Sequence, residues 1–335
     1  MECEVSVAIW SGGRTRPYLI AELGSNHEGD LDVALELVAA AASAGADAVK
    51  LQVFGAEGFV RASETVRVAQ LERFRLDEQS VNAVHDSVRA AGLDFICTPL
   101  TLDCVAWLRP LVDVFKIASG DNDFVTLVDL VVEADRPIIV STGFAATDDI
   151  VQLHHRLQAA KAEHAFLHCV GAYPTEIEDA HLATIMELRR NIHVPIGYSD
   201  HTIGIEACVV AVGLGASIVE KHLTLAHDFS DFRDHALSAE PDEFAELRGA
   251  IDRAAALVGE PRNGILIGEA DNVKAVRRSL VAGRNLGKGE IIKSGDLIFV
   301  RPGDGLPISS LADVLDRRVA RAIGKDCLIT LADLD

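Results

Sequence analysis

The sequence predicts an α/β fold, a (β/α)8 TIM barrel followed by a small mainly β domain, on three observations. Short apolar strand-like runs, eight in all, alternate with amphipathic helical segments up to residue 262. The side chains able to do chemistry fall at or just past the C-terminal ends of those runs, which is the rim where barrel enzymes carry their active sites. From Val276 the pattern changes to short β-like runs separated by glycine turns, with no long helical periodicity. An open doubly wound sheet would also alternate strand and helix, but no GxGxxG follows any strand and the count is eight.

After a polar lead-in ending at Pro17, YLIAEL reads as the first strand and stops at the loop GSNHEGD, where Asp30 is placed to cap a helix. LDVALELVAAAASAGA follows as an amphipathic helix ended by Gly45. DAVKLQVF is the second strand, with Lys50 and Gln52 on one face. LDFICTPL (93–100), DVFKIAS (113–119), PIIVSTG (137–143) and AFLHCVGAYPT (165–175) supply the next four, and VPIGYSDHT and SIVEKH the last two. The helical segments EQSVNAVHDSVRAAG, TLVDLVVEA, TDDIVQLHHRLQAA and LATIMELRRN fall between strands. IGIEACVVAVGLGA joins the last two strands as the crossover of a parallel pair. PDEFAELRGAIDRAAALVG closes the barrel. The boundaries are then a barrel over 1–262, a linker over 263–275 and a second domain over 276–335, which is small enough to need packing against something else.

A chain of 335 residues exceeds one usual domain. Its 51 acidic residues against 31 Lys and Arg leave a net charge of −20, which argues against a nucleic-acid surface and requires a locally inverted field for any anionic substrate. The six cysteines show no CxxC, zinc or disulfide spacing and read as reduced, mostly buried thiols. No basic segment followed by an apolar core opens the chain, and no apolar run reaches membrane-spanning length. The expectation is a cytoplasmic protein without nucleic-acid or membrane partners.

Glu22, Lys50, Gln52, Thr98, Lys116, Ser119, Ser141, Tyr173, Ser199, His201, Glu220 and His222 occupy the expected rim. Two ammonium groups among hydroxyls suit a phosphate or carboxylate. Strand alternation puts Ser199 with His201 and Glu220 with His222, while it turns Lys221 outward toward the helices and leaves Asp200 a supporting or helix-capping role. His201 and His222 on adjacent strands fit a divalent metal with open positions, a Lewis acid rather than a closed structural site. His27 and His168 carry less information, and His154 and His155 read as solvated helix residues. The residues by themselves therefore indicate a barrel enzyme, metal-dependent, acting on an anionic small molecule.

The ordered set IAELGSNHEGD, GADAVKLQVF, FICTPL, FKIASGD, IVSTGF, HCVGAYPTEIED, GYSDHTIG, GASIVEKHLTL and RDHALSAEPDE resembles the sialic acid synthase family, the phosphoenolpyruvate-dependent nonulosonate synthases. RSLVAGRNLGKGEII and VRPGDGLP resemble that family's C-terminal antifreeze-like (SAF) domain, so the likeness runs from Tyr18 nearly to the end. The resemblance implies condensation of phosphoenolpyruvate with an N-acyl hexosamine, N-acetylmannosamine or a relative, to a nine-carbon 2-keto acid and phosphate. It implies that Lys50, Thr98, Lys116, Ser119, Ser141 and Ser199 hold phosphoenolpyruvate, and that His201 and His222 bind a divalent metal, Mn2+ or Mg2+. Glu22, Gln52, Tyr173 and Asp234 fall around the sugar and the reacting carbons, with Glu22 and Glu220 as candidates to stabilise charge or move protons. Arg301 matches an arginine delivered by the second domain, which in the family caps the neighbouring subunit's barrel in a domain-swapped homodimer.

Four features depart from the family pattern, and all bear on the sugar: Asp121 in place of Glu, Gly171 in place of Asn or Ser, the short loop after Phe54, and DFSDFR before Asp234. Two rival readings are a Schiff-base aldolase using Lys116 or Lys50, and a saccharide-binding protein whose C-terminal domain does the work.

Overall fold

The computed structural model describes residues 16–55 and 58–335; Cys3 and the lead-in before Arg16 lie outside them. The first unit runs in the order β1 (Tyr18–Gly24), α1 (Leu31–Ser43), β2 (Ala48–Val53), α2 (Thr65–Phe74), α3 (Glu78–Ala90), β3 (Asp94–Pro99), α4 (Leu102–Leu108), β4 (Val114–Ile117) and α5 (Val125–Glu133). It continues with β5 (Ile138–Ser141), α6 (Thr147–Ala159), β6 (His164–Cys169), α7 (Thr184–Asn191), β7 (Ile196–Asp200), α8 (Glu206–Gly213), β8 (Ile218–His222) and α9 (Pro241–Val258). The eight strands are parallel and closed, with β1 paired to both β2 and β8. The fold is therefore the eight-stranded barrel that the strand count predicts.

Strand alternation decides what faces the barrel axis. Tyr18, Ile20, Ala48, Ile96, Val114, Ile139, Ala165, Leu167 and Ile218 fill the lower interior as a separate apolar cluster. The next inward positions, two residues further along the same strands, are Glu22, Lys50, Thr98, Lys116, Ser141, Cys169 and Glu220, and Ser199 follows the inward Gly197 in the same way. The barrel thus changes from hydrocarbon to charge within one pleat. At position 197 a Cβ would stand 2.4 Å from the Ile218 carbonyl oxygen and 2.5 Å from Leu167 Cδ2, so only glycine fits between these strands.

Outward positions such as Leu19, Val49, Phe95, Phe115, Phe166 and Val219 bury themselves under the helices. The first helix shows how: the Asp30 side chain accepts from the Asp32 and Val33 amides, and Ala34, Leu37, Val38 and Ala41 form the buried stripe. Helices α2 and α4 escape periodicity. The former buries only Leu71 and Phe74, and the latter has seven residues. In α6 the buried stripe is Ile150, His154 and Leu157, and this corrects the reading of His154 as solvated. Its side chain is buried, with Nδ1 2.9 Å from His164 Nε2, whereas His155 is exposed.

The outward pair Lys221 and Asp200 confirms the alternation argument. Lys221 Nζ donates to Asp200 Oδ2 (2.8 Å) and the Thr202 carbonyl (2.5 Å), while Asp200 Oδ1 accepts from the Thr202 amide and the Tyr198 hydroxyl. Asp200→Ala would strand a buried ammonium, and we expect a loss of about 3–5 kcal/mol in urea-unfolding stability. Adding Lys221→Met should recover most of it. A loss below about 1 kcal/mol would show that the pair is dispensable.

The chain divides after Gly259 into a second unit, Glu260–Asp335. The stretch read as a linker carries the helix α10 (Ile267–Val276), which buries no residue and so leaves no apolar stripe in the sequence. Strands β9 (Ser279–Ala282) and β10 (Leu297–Val300) pair antiparallel, and the short helix α11 (Leu311–Val314) follows. Isolated bridges such as Val281 to Leu328 and Leu286 to Ile323 extend the β character around a core that includes Leu280, Leu286, Ile292, Val319 and Ile329. Among the described cysteines, Cys97, Cys104, Cys169 and Cys208 are free and buried, and Cys327 is free and exposed. No helix of the described residues is long and apolar enough to cross a membrane.

Candidate active site

At the C-terminal mouth of the barrel a cavity of about 1240 Å3 gathers Glu22, Lys50, Gln52, Thr98, Lys116, Ser119, Asp121, Ser141, Tyr173, Ser199, His201, Glu220, His222 and Asp234. Every candidate picked from the sequence in the barrel lines this one space. Arg301 belongs to the second unit, where it is exposed.

The floor is a buried cluster of four ionisable groups. Lys50 Nζ lies 3.2 Å from both Glu22 Oε2 and Glu220 Oε1, at ion-pair distance. Lys116 Nζ donates to Ser141 Oγ at 2.6 Å and lies 3.5 Å from Glu220 Oε1, which also accepts from Ser199 Oγ at 2.8 Å. Gln52 Nε2 donates to Glu22 Oε1 at 2.8 Å. Ser119 Oγ accepts from the Gly143 amide, and Asn122 braces the same loop by donating to the Ser141 and Gly143 carbonyls.

The two carboxylates share a floor but are shifted in opposite directions. Burial is the largest influence on each and favours the neutral form. For Glu22 it wins over Lys50, with Glu220 adding repulsion, and the group is raised above its ordinary value. For Glu220 the combined pull of Lys116 and Lys50 and the Ser199 hydrogen bond outweighs burial and brings it to about 2. Burial likewise lowers Lys116, only partly offset by Glu220, whereas for Lys50 the two carboxylates overcome burial and raise it. Thr98 Oγ1 and Glu220 Oε2 are buried without a hydrogen-bonding partner, as is His222 Nδ1. Such atoms are costly in a closed core and suited to a polar ligand.

The imidazoles stand beside this floor with ring centroids 5.4 Å apart. His201 Nδ1 lies 2.8 Å from the Val170 carbonyl oxygen, which can only accept, so Nδ1 carries a proton; burial opposes charge on this ring, but the Cys169 thiol and the Val170 carbonyl outweigh it and raise His201 above its ordinary value. Burial, with His201 and Lys50 nearby, holds His222 well below the ordinary imidazole range and therefore neutral. Gly24, at φ 53°, lets the backbone pass close: a Cβ there would lie 3.3 Å from His222 Cε1. Two neighbouring imidazoles, one held neutral by burial and the other oriented by a backbone acceptor, are the ligand type that suits a divalent first-row metal. Among the described residues no group of three or more His, Cys, Asp or Glu side chains is arranged to hold a metal alone. The protein's share of such a shell would be these two rings.

Tyr173 packs against His201 at a tilt of 31°, centroids 4.0 Å apart, and the Arg233 guanidinium lies 5.1 Å from the Tyr173 ring centroid. Tyr173 reaches the cavity from the loop after β6, because that strand ends at Cys169 rather than at 175. Helix α2 supplies Arg67, Gln70, Arg73 and Phe74 to the mouth, with Arg73 on Glu28 at 3.1 Å and Phe74 edge-on to Phe232 at 4.9 Å. Cys169 also lines the cavity, 3.8 Å from His201 Nδ1. Cys169 is free and buried, as the reading of reduced, mostly buried thiols expects, but that reading did not place it in the cavity, although it lies two residues beyond the inward Leu167.

Fold and site together define a (β/α)8-barrel protein whose rim joins a cluster of two lysines, two glutamates and several hydroxyls to a pair of neighbouring imidazoles, followed in sequence by a small β-rich unit. The model of the NeuB family matches residues 37–263 and that of the SAF domain matches residues 277–335. This chain belongs to the NeuB family and carries a C-terminal SAF domain. It is 37% identical to an uncharacterized protein of Methanocaldococcus jannaschii over 96% of both chains. It is 31% identical to the N,N'-diacetyllegionaminic acid synthase of Campylobacter jejuni over 93% of this chain and 98% of that one. The crystal structure of the N-acetylneuraminic acid (sialic acid) synthetase of Leptospira borgpetersenii, at 30% identity, superposes with a TM-score of 0.74 over 77% of this chain and 90% of its own.

Proposed function

We propose that this chain condenses phosphoenolpyruvate with an N-acyl hexosamine, N-acetylmannosamine or a relative, to give a nonulosonic acid and phosphate. The observation that carries this reading is the joining of Lys50, Lys116, Ser141 and Ser199 around Glu220 with His201 and His222 immediately beside them. The lysines and hydroxyls, with Thr98 and Ser119, would bind phosphate and carboxylate through charge-assisted hydrogen bonds. Gln52, Asp121, Tyr173 and Asp234 would orient the acceptor above them. Held between His201 and His222, Mn2+ or Mg2+ would supply a Lewis acid for the acceptor aldehyde.

The carbon–carbon bond forms between the methylene carbon of phosphoenolpyruvate and the aldehyde carbon. Water then adds at the former enol carbon and phosphate leaves. Glu22, whose carboxyl burial raises above its ordinary value, is our candidate to pass a proton to the new alkoxide. Glu220, kept ionised by the two lysines, faces the positive charge that develops at the enol carbon. A homodimer in which the C-terminal domain caps the partner's barrel, with Arg301 reaching the acceptor, belongs to the same proposal, as does a cytoplasmic setting.

The test is phosphate release from phosphoenolpyruvate with Mn2+ across a panel of N-acyl hexosamines, including the precursors of neuraminic-, legionaminic- and pseudaminic-type acids. Turnover should stop with EDTA and return with Mn2+, and borohydride should trap no lysine adduct. Release with none of the acceptors would overturn the reading, and a trapped lysine would favour the aldolase.

A further inference from the structure

Phe144 is not accounted for by the charged floor. It follows β5, is 78% exposed, and holds a left-handed backbone at φ 62°. For a bulky aromatic residue that conformation costs about 1–3 kcal/mol and persists only where the surroundings over-determine it. The tip of the ring rests against Gly171: a Cβ at that position would lie 2.0 Å from Phe144 Cζ. Any side chain at 171 would push the ring away, which makes the aromatic and the glycine one device.

The ring stands between two spaces. Phe144, Cys169 and Gly171 line both the catalytic cavity and a second cavity of about 580 Å3, whose other walls include Ala145, Ile150 and Leu188. In an N-acyl hexosamine the amide sits on the carbon next to the aldehyde, so the acyl group must lie near the imidazoles that flank the reacting carbon. His201 donates to the carbonyl of Val170, and Val170, Gly171 and Ala172 form a wall of the second cavity.

We propose that Phe144, seated on Gly171, determines acceptor specificity by closing the adjoining cavity and so limiting the acyl substituent to a short chain. The proposal rests on the condensation reading and deepens it. Removing the ring joins the two cavities and admits additional methylenes, each of which changes discrimination about tenfold or more in an apolar pocket.

The experiment measures phosphate release with Mn2+ and phosphoenolpyruvate. The acceptors are N-acetyl, N-propanoyl and N-butanoyl forms of mannosamine and of a 2,4-diaminohexose, and the proteins are wild type, Phe144→Ala and Gly171→Ala. In Phe144→Ala the ratio of kcat/KM for N-butanoyl over N-acetyl acceptor should rise about tenfold or more. Gly171→Ala, whose methyl displaces the ring, should move the ratio in the same direction. Phe144 is exposed, so its truncation does not remove core packing, and a circular dichroism spectrum matching wild type checks this. A ratio unchanged in both variants, with wild type active on an N-acetyl acceptor, overturns the gate and leaves the condensation reading standing. Absence of phosphate release from wild type with every acceptor overturns both.

Discussion

Lys116→Met is expected to lower kcat/KM for phosphoenolpyruvate by about three orders of magnitude, or roughly 4 kcal/mol, while the protein stays folded. Lys116 is fully buried, donates to Ser141 Oγ at 2.6 Å and lies 3.5 Å from Glu220 Oε1. Losing one partner of a buried, hydrogen-bonded charge interaction costs about 2–5 kcal/mol, and here the lost partner would be the one facing the substrate anion. The fold survives because Glu220 keeps Lys50 at 3.2 Å and Ser199 at 2.8 Å, so no carboxylate is abandoned, and methionine replaces most of the volume. Lys50→Met makes the control. It leaves Glu22 and Glu220 facing each other without the cation between them, and should lower the urea midpoint as well as activity. A loss under about tenfold in Lys116→Met would remove Lys116 from the anion site.

Whatever followed from strand alternation was legible in the sequence, because one parity rule places both the hydrocarbon layer and the charged floor above it. It put Lys50, Lys116, Ser141, Ser199 and Glu220 in one space and sent Lys221 outward onto Asp200. Features set by contacts between loops were not legible. Helix α2 has two buried residues and gives no clear period, yet it brings Arg67 and Arg73 to the mouth. Position 171 could be read as a missing hydrogen-bonding side chain, but not as the seat of a ring from the neighbouring loop. His154 shows the limit of residue type as a guide, since only the rotation of α6 against β6 puts a polar ring in the buried stripe.

His201→Ala and His222→Ala should each abolish the stabilisation that Mn2+ gives the folded protein, together with turnover. A metal that binds only the native state at a hundred times its Kd stabilises it by about 2.7 kcal/mol, so wild type should show a clear rise in Tm on adding Mn2+. With only two protein ligands in the proposed shell, removal of either leaves a single imidazole, and affinity should fall by more than the roughly ten- to hundredfold that loss of a supporting group alone produces. The rise in Tm should then vanish at the same Mn2+ concentration. Without metal the variants need not match wild type, because each ring is buried. The decisive quantity is therefore the difference with and without Mn2+ within each protein. His154→Ala, which removes a buried imidazole elsewhere in the barrel, controls for packing: it should lower Tm but keep the Mn2+ increment. An increment retained in His201→Ala and His222→Ala would separate the metal from these rings and leave them as hydrogen-bonding groups beside the acceptor.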